Sequence, residues 1–357
     1  MSSARPHRKP ETGNRKPLIA IHDSDKGFHP RWIDYCEREG IPYRKVNCYA
    51  SDIIAQLEGC QALMWHYGQS NPKDVLIARP ILSALEHAGI KVFPDFRTAW
   101  HFDDKVAQKY LFEALDIPAV PAHVFVDREQ ALAWVEQAEF PKVFKLRRGA
   151  GSAGVRLVHD RRQARRLVKR AFGRGLPIYD PWDSLKERLY KVRLGKLPAT
   201  DIAKGLIRFF YPPRYSRILG RERGYVYFQD YLPGNDCDIR IVVIGDRAFG
   251  IRRLVRPGDF RASGSGRITY QREDFDERCV EMAFETTDKL GGDCVALDFV
   301  FDSENTPRIL EVSYGFTAEG YDSCAGYWDK CLKWHTGEIE PQGWMVAHIL
   351  TNAEVKA

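Results

Sequence analysis

Two short apolar runs joined by a glycine loop limit this chain's fold more tightly than any other feature. In segment 140–158 the runs VFKL and VRLV flank Gly149-Ala150-Gly151-Ser152-Ala153-Gly154, a G-x-G-x-x-G match. A dinucleotide-binding fold needs a helix directly after such a loop, and a Walker loop needs Gly-Lys-Ser/Thr. Here the run after the loop reads as a strand and the Gly-Lys pair is absent. What remains is a strand–loop–strand flap. Its backbone N–H groups, at Gly149, Gly151, Ser152 and Gly154, are suited to covering triphosphate oxygens. Lys145, four residues before the loop in apolar company, can reach phosphates as a point charge.

A second constraint is the hairpin CVALDFVF–DSENTP–RILEVS. If Phe301 faces Arg308, paired positions sum to 609 and Asp298 lies opposite Glu311. Opposed side chains in such a ladder sit ~4.5–5.5 Å apart, and like charges there repel. Two carboxylates on otherwise apolar strands call for a cation, and Mg²⁺ held by carboxylates and substrate phosphates fits. On this reading, removing either acid from the metal-free protein relieves repulsion. Ser313, two residues beyond Glu311, falls on the same face.

The third segment is Phe228-Gln229-Asp230-Tyr231-Leu232-Pro233-Gly234, followed by Asp236 and Asp238-Ile239-Arg240. A strand that stops at Pro-Gly leaves backbone groups for a purine edge. An acid just after it suits ribose hydroxyls. Alone, the segment is also an ordinary strand and turn.

Before these segments, residues 17–100 alternate short strands with helices, which implies a parallel sheet with covering helices. Ligands of such sheets sit beyond the strands' carboxyl ends. That singles out His22, Asp23, Ser24, His66 and Tyr67 as substrate-loop residues, against the plainer reading of polar loop positions.

Composition closes off several function classes. Eight scattered cysteines without a C-x-x-C pair read as reduced thiols rather than a zinc site or disulfide framework, which points to the cytoplasm. No apolar run reaches the ~20 residues of a membrane span. Residues 1–16 read as a polar basic tail, disordered, without a secretory h-region. The stretch 161–224 holds 18 Lys or Arg against 5 Asp or Glu. It reads as a solvated basic insertion beside a nucleotide site, with a hold on nucleic acid or an anionic polymer as the rival. No nucleic-acid motif accompanies it.

Together the three segments resemble the ATP-grasp superfamily, and within it the glutathione synthetase and RimK-like ligases, over about residues 17–316. The resemblance implies an α/β (α+β) architecture: a parallel-sheet domain at 17–100, an ATP-grasp module at 101–325 and a helical tail at 326–357. It implies ATP and Mg²⁺ as cofactors, with Lys105 and Lys145 as the phosphate-binding lysines. Residues Gln229, Asp230, Tyr231 and Leu232 become the adenine hinge, and Asp238 the ribose ligand. Arg240 and Arg253 would contact the terminal phosphate or the acyl phosphate, and Arg261 the substrate. Asp298 and Glu311 would be metal ligands. Ser313 stands where the family usually has Asn, which leaves the number of metal ions open. The implied reaction joins a carboxylate to an amine through an acyl phosphate, with small-molecule, peptide or sugar substrates. A kinase, or a polymer-binding protein with a degenerate nucleotide site, are the rivals. Oligomeric state and the acid and amine are not legible.

Overall fold

The computed structural model describes residues 17–149, 154–193, 195, 197–256 and 258–354. Strands β1 (Ile19–His22), β2 (Tyr43–Val46), β3 (Ala62–Met64) and β4 (Lys91–Phe93) form a parallel sheet in the order β2-β1-β3-β4. Helices α1 (His29–Arg38), α2 (Ile53–Gln56) and α3 (Pro72–His87) make the connections. All four residues of β1 are buried, as a central strand covered on both faces requires.

After α4 (Phe96–Ala99), helix α5 (Lys105–Ala114) starts at Asp104, whose carboxylate accepts from the Ala107 N–H at 3.0 Å. That carboxylate also takes a two-pronged hydrogen bond from Arg147, so the start of α5 is tied to the chain entering the glycine loop.

A four-stranded sheet follows, built from β5 (Ala122–Phe125), β6 (Lys142–Lys145), β7 (Val155–Val158) and β10 (Val226–Asp230), in the order β5-β10-β6-β7. All its pairs are antiparallel, and Lys145 lies opposite Val155 across the glycine loop. Helices α6 (Arg128–Gln137) and α7 (Arg161–Phe172) cover one face. Ala164, Val168 and Ala171 of α7 are buried against Phe144, Val226 and Phe228, so the first turns of the basic stretch are part of this sheet's core. The stretch continues through β8 (Leu176–Pro177), α8 (Pro181–Arg193), α9 (Thr200–Ile207), α10 (Arg214–Leu219) and β9 (Arg221–Glu222).

The third sheet has seven strands: β11 (Cys237–Ile244), β12 (Arg247–Leu254), β13 (Ile268–Thr269), β14 (Cys294–Phe301), β15 (Pro307–Ser313), β16 (Gly326–Asp329) and β17 (Trp334–Thr336). Helix α11 (Glu277–Leu290) packs on one face and ends at Gly291 in the left-handed region (φ 63°), where a side chain would be strained. Residues 326–357 were expected as a helical tail. Two strands instead extend this sheet, and only α12 (Pro341–Glu354) is helical.

Period-2 alternation divides this sheet's two faces. Ile239, Ile241, Val243, Val295, Leu297 and Phe299 meet α11. Val242, Ile244, Phe249, Ile251, Cys294 and Ala296 turn toward the parallel-sheet domain. Continuing the second set along the same strands gives Asp238, Arg240, Arg253 and Asp298. The apolar face therefore becomes a charged one at one end.

Candidate active site

That charged end meets the four-stranded sheet in a cleft. Its lining takes in Lys105, Lys145, Gly149, Gln229, Asp230, Tyr231, Leu232, Asp238, Arg261, Asp298 and Glu311, with Asn235, Phe260 and Leu310 among their neighbours. Segments far apart in sequence thus converge on one concave surface. Gly151 and Ser152 lie outside the described residues. Gly154 takes φ 73°, and its carbonyl accepts from the Leu146 N–H at 3.2 Å.

Asp298 does sit opposite Glu311. The ladder slips between Asp298 and Phe299, however, so Phe301 faces Pro307 rather than Arg308. A β-bulge at Leu310 absorbs the one-residue difference. The expectation that the two acids need a metal to coexist is corrected by their partners. Asp298, 2% exposed, is ion-paired with Arg240 and, at 2.9 Å, with Arg253. Glu311 is 3.7 Å from the Lys105 ammonium. Burial alone would raise the Asp298 pKa, but the two guanidiniums hold it well below the usual carboxylate range.

Asp238 is expected as a ribose ligand. Both its oxygens accept from Arg253, at 2.6 and 2.7 Å, the residue opposite it in the ladder. Burial pushes the Asp238 pKa up to about 6 even so, with Asp298 nearby adding to the rise. Arg240 does not line the cleft. It stands behind Asp298, directly across the β11–β14 ladder. Ser313 is also outside the lining. Its hydroxyl donates to the Gly315 carbonyl at 3.0 Å and accepts from the Gly315 N–H.

The lysines differ. Burial works against charge on Lys105, but Glu311 and Asp103 outweigh it and its pKa is raised. Its ammonium donates to the Gly149 carbonyl at 3.2 Å. Lys145 has less compensation, and burial lowers its pKa to about 8 despite Glu311. Counting Lys105, Lys145, Arg240 and Arg253 against Asp103, Asp238, Asp298 and Glu311 gives four cations and four anions. The cluster is formally neutral.

Asp103 was not anticipated from sequence. It adopts φ 51°, and its carboxylate accepts from the Gly149 N–H at 3.2 Å, occupying a flap donor. An Asp tolerates that conformation, and the pair Asp103-Asp104 ahead of an amphipathic helix was the available signal. At the hinge, the Asp230 side chain turns to Lys142 (2.7 Å) and His123 (3.2 Å), so only its backbone is available to a ligand. Tyr231 and Leu232 lie past the last ladder pair, Asp230–Lys142. The Gln229 carboxamide oxygen is buried without a hydrogen-bond partner, while its nitrogen donates to the Leu310 carbonyl at 3.3 Å.

Arg261 lines the cleft with its guanidinium on Asp259 at 2.6 Å. A second cleft lies beyond it. Arg253 and Ala262 line it, with Ser265 and the α8 residues Tyr190 and Lys191. Arg256 lies over the Tyr190 ring at 5.5 Å.

The polar residues at the ends of the parallel strands are engaged within their own domain. His22 accepts from the Cys48 N–H at 3.2 Å and His66 from the Phe28 N–H at 3.0 Å, while the Tyr67 hydroxyl donates to the Ala99 carbonyl. Asp23 pairs with Lys45 and the Ser24 hydroxyl accepts from the Lys26 N–H. None of the five lines either cleft.

Residues 217–326, which carry the hinge, the arginines and both acids, match the model of the RimK-like ATP-grasp domain. The fold is that of the ATP-grasp superfamily. A RimK domain ATP-grasp protein from Sphaerobacter thermophilus superposes with a TM-score of 0.52 at 15% identity, over 93% of this chain and 99% of that one. D-cycloserine synthetase DcsG gives 0.57 at 14% identity, over 94% and 99%. The ATP-grasp ligase PsnB, in complex with a minimal precursor, Mg and ADP, gives 0.53 at 13% identity, over 94% and 98%. No curated protein matches the chain in sequence. Among the described residues no helix is long and apolar enough to cross a membrane, and no three His, Cys, Asp or Glu side chains cluster as a metal site.

The residues present suit an ATP-grasp cleft. Two carboxylates without a third protein ligand match a magnesium ion that takes its remaining ligands from phosphates and water.

Proposed function

We propose that this protein is an ATP-dependent ligase that activates a carboxylate as an acyl phosphate and passes it to an amine, releasing ADP and phosphate. The observation that carries the reading is the convergence of Lys105, Lys145, Asp298 and Glu311 on one cleft that Gly149 and Val155 also line. Purine binding falls to the Gln229–Leu232 hinge, with Asp238 at the sugar end. Lys145 and Lys105, both lining the cleft, would neutralise phosphate charge. A bound magnesium ion, held by Asp298 and Glu311, would offset charge on the transferring phosphoryl group.

A carboxylate is a poor electrophile, and phosphorylation gives it a leaving group. Arg240 and Arg253 hold Asp298 ionised and fixed in place for that step. The amine then attacks the carbonyl carbon, the C–O bond to phosphate breaks and the amine proton is lost to solvent or base. Arg261 faces the cleft from the loop between the two clefts and is suited to the developing oxyanion or the substrate carboxylate. The flap excludes water that would hydrolyse the acyl phosphate.

The test is ADP release measured with Mg-ATP against paired carboxylates and amines. Release that requires both substrates supports ligation, whereas release with a single acceptor and a stable phosphorylated product makes the protein a kinase. Arg261→Lys keeps the charge but loses the planar fork. It should bind ATP as wild type does and lose substrate-dependent turnover by at least about tenfold, the scale of one charge-assisted hydrogen bond.

A further inference from the structure

The helical arm α8–α10 carries a surface that the ligase reading does not use. Eleven large apolar side chains are exposed among the described residues, and six of them lie between positions 182 and 218. Phe210 is 83% exposed, Tyr211 72% and Trp182 64%, with Leu206 and Ile207 beside them at the end of α9. The Trp182 ring stands edge-on to Phe209 at 4.8 Å, which joins the start of α8 to the turn after α9 in one patch. Charge accumulates on the same arm. Residues 181–219 hold nine Lys or Arg against three Asp or Glu, an excess of +6 that equals the net charge of the whole chain. The remainder of the protein is therefore neutral. Arg214 and Arg217, just past the aromatic turn, are exposed.

We infer that this arm docks the protein reversibly on an anionic membrane surface, with the aromatic turn entering the headgroup layer and the basic side chains facing the lipid phosphates. Aromatic and aliphatic side chains beside Lys and Arg are what the interface of a charged bilayer accommodates together. A second copy of this chain would set +6 against +6. An acidic peptide would satisfy the cations and leave Phe210 and Tyr211 in water. The position also has a geometric consequence. Tyr190 in the second cleft lies eight residues along α8 from Trp182, ~12 Å at the helical rise.

Co-sedimentation of the full chain with vesicles tests this without reference to catalysis. Binding is expected to equimolar phosphatidylcholine and phosphatidylglycerol and to be lost on phosphatidylcholine alone. Arg214→Gln with Arg217→Gln should weaken it about 25-fold, from ~1 kcal/mol per basic residue at such a surface. Phe210→Ser with Tyr211→Ser should weaken it at least about tenfold, since each ring loses its burial. Both pairs are solvent-exposed, so thermal unfolding should match wild type. Failure to bind the anionic vesicles, or wild-type binding by both double variants, overturns the inference. So does saturable capture of polyglutamate that the arginine variant abolishes while vesicles are ignored. Self-association that the serine variant abolishes would overturn it too, by assigning the patch to a second copy.

Discussion

The parallel sheet and the seven-stranded sheet both carry buried polar side chains where their strands end, and they use them in opposite ways. In the first, His22, His29 and His66 are neutral groups closing backbone hydrogen bonds within an aromatic cluster. Burial lowers the pKa of His29 to about 4 and of His66 to about 3. His66 stacks on Phe28 at 3.7 Å between ring centres, and its backbone N–H donates to the His29 ring. In the second, the groups stay ionised, balance one another and open onto a cleft. Buried polarity that ends in backbone bonds is packing. Buried charge that ends in a cavity is a site awaiting a charged ligand.

The sharpest way to break this contrast is Asp298→Asn. The change leaves Arg240 and Arg253 without their shared carboxylate, so the apo protein should lose roughly 3–5 kcal/mol in urea unfolding, the scale for breaking a buried ion pair. This reverses the stabilisation expected from two repelling acids. ADP formation should fall below detection. An apo protein as stable as wild type would show that the arginines are not tied to Asp298.

Lys145→Ala comes next and separates charge from packing. ATP affinity should weaken by at least ~1.5 kcal/mol in calorimetry. Because its pKa is about 8, wild-type affinity should decline as pH rises through that value. Lys145→Arg should remove the decline. Affinity that stays flat between pH 7 and 9, in roughly the range the shift implies, would place the ammonium outside the nucleotide site.

In the parallel domain, His66→Phe should cost ~1–3 kcal/mol by orphaning the Phe28 N–H and leave ATP affinity unchanged. The lowered histidine pKa values fix the sign of a pH effect. For His66, between about 3 and the ordinary value of 6.5 the unfolded chain binds the extra proton, so stability falls as pH drops through that window. The variant should flatten the acid limb of an unfolding titration. A change in nucleotide affinity instead would make this end of the sheet part of the site.

The smallest effect belongs to Ser313→Ala. It should cost about 1 kcal/mol for the lost turn contact to Gly315 and leave Mg²⁺-dependent ADP release at the wild-type rate. A marked rise in the magnesium requirement would return Ser313 to the metal ligands.

Much of this was legible in sequence because the signals are local. Alternating strand and helix runs marked the parallel sheet, and the runs on either side of the glycine loop marked β6 and β7. The hairpin sum found the Asp298–Glu311 pair although the turn-side register is offset by one residue. What escaped depends on contacts across the fold. Nothing near Asp298 in sequence names Arg240 or Arg253 as its partners, and the same holds for Gln229 reaching the Leu310 carbonyl at 3.3 Å. In α7 the small core residues Ala164, Val168 and Ala171 do keep helical spacing. Six Lys or Arg between Arg161 and Phe172 hide the pattern under an average that reads as solvated.

The bulge at Leu310 suspends the strict alternation of inward and outward residues at the one place where two neighbours are needed on the same side. Leu310 and Glu311 both border the cleft, one as an apolar wall for a ring and the other as a carboxylate. Downstream of that irregularity the strand keeps its phase whatever happens at the tip of the hairpin. The hairpin tip, tied by Asp302 to Thr306 and Arg308, thus sits out of phase with the cleft end of the strand, and the Asp298–Glu311 pairing does not depend on its register.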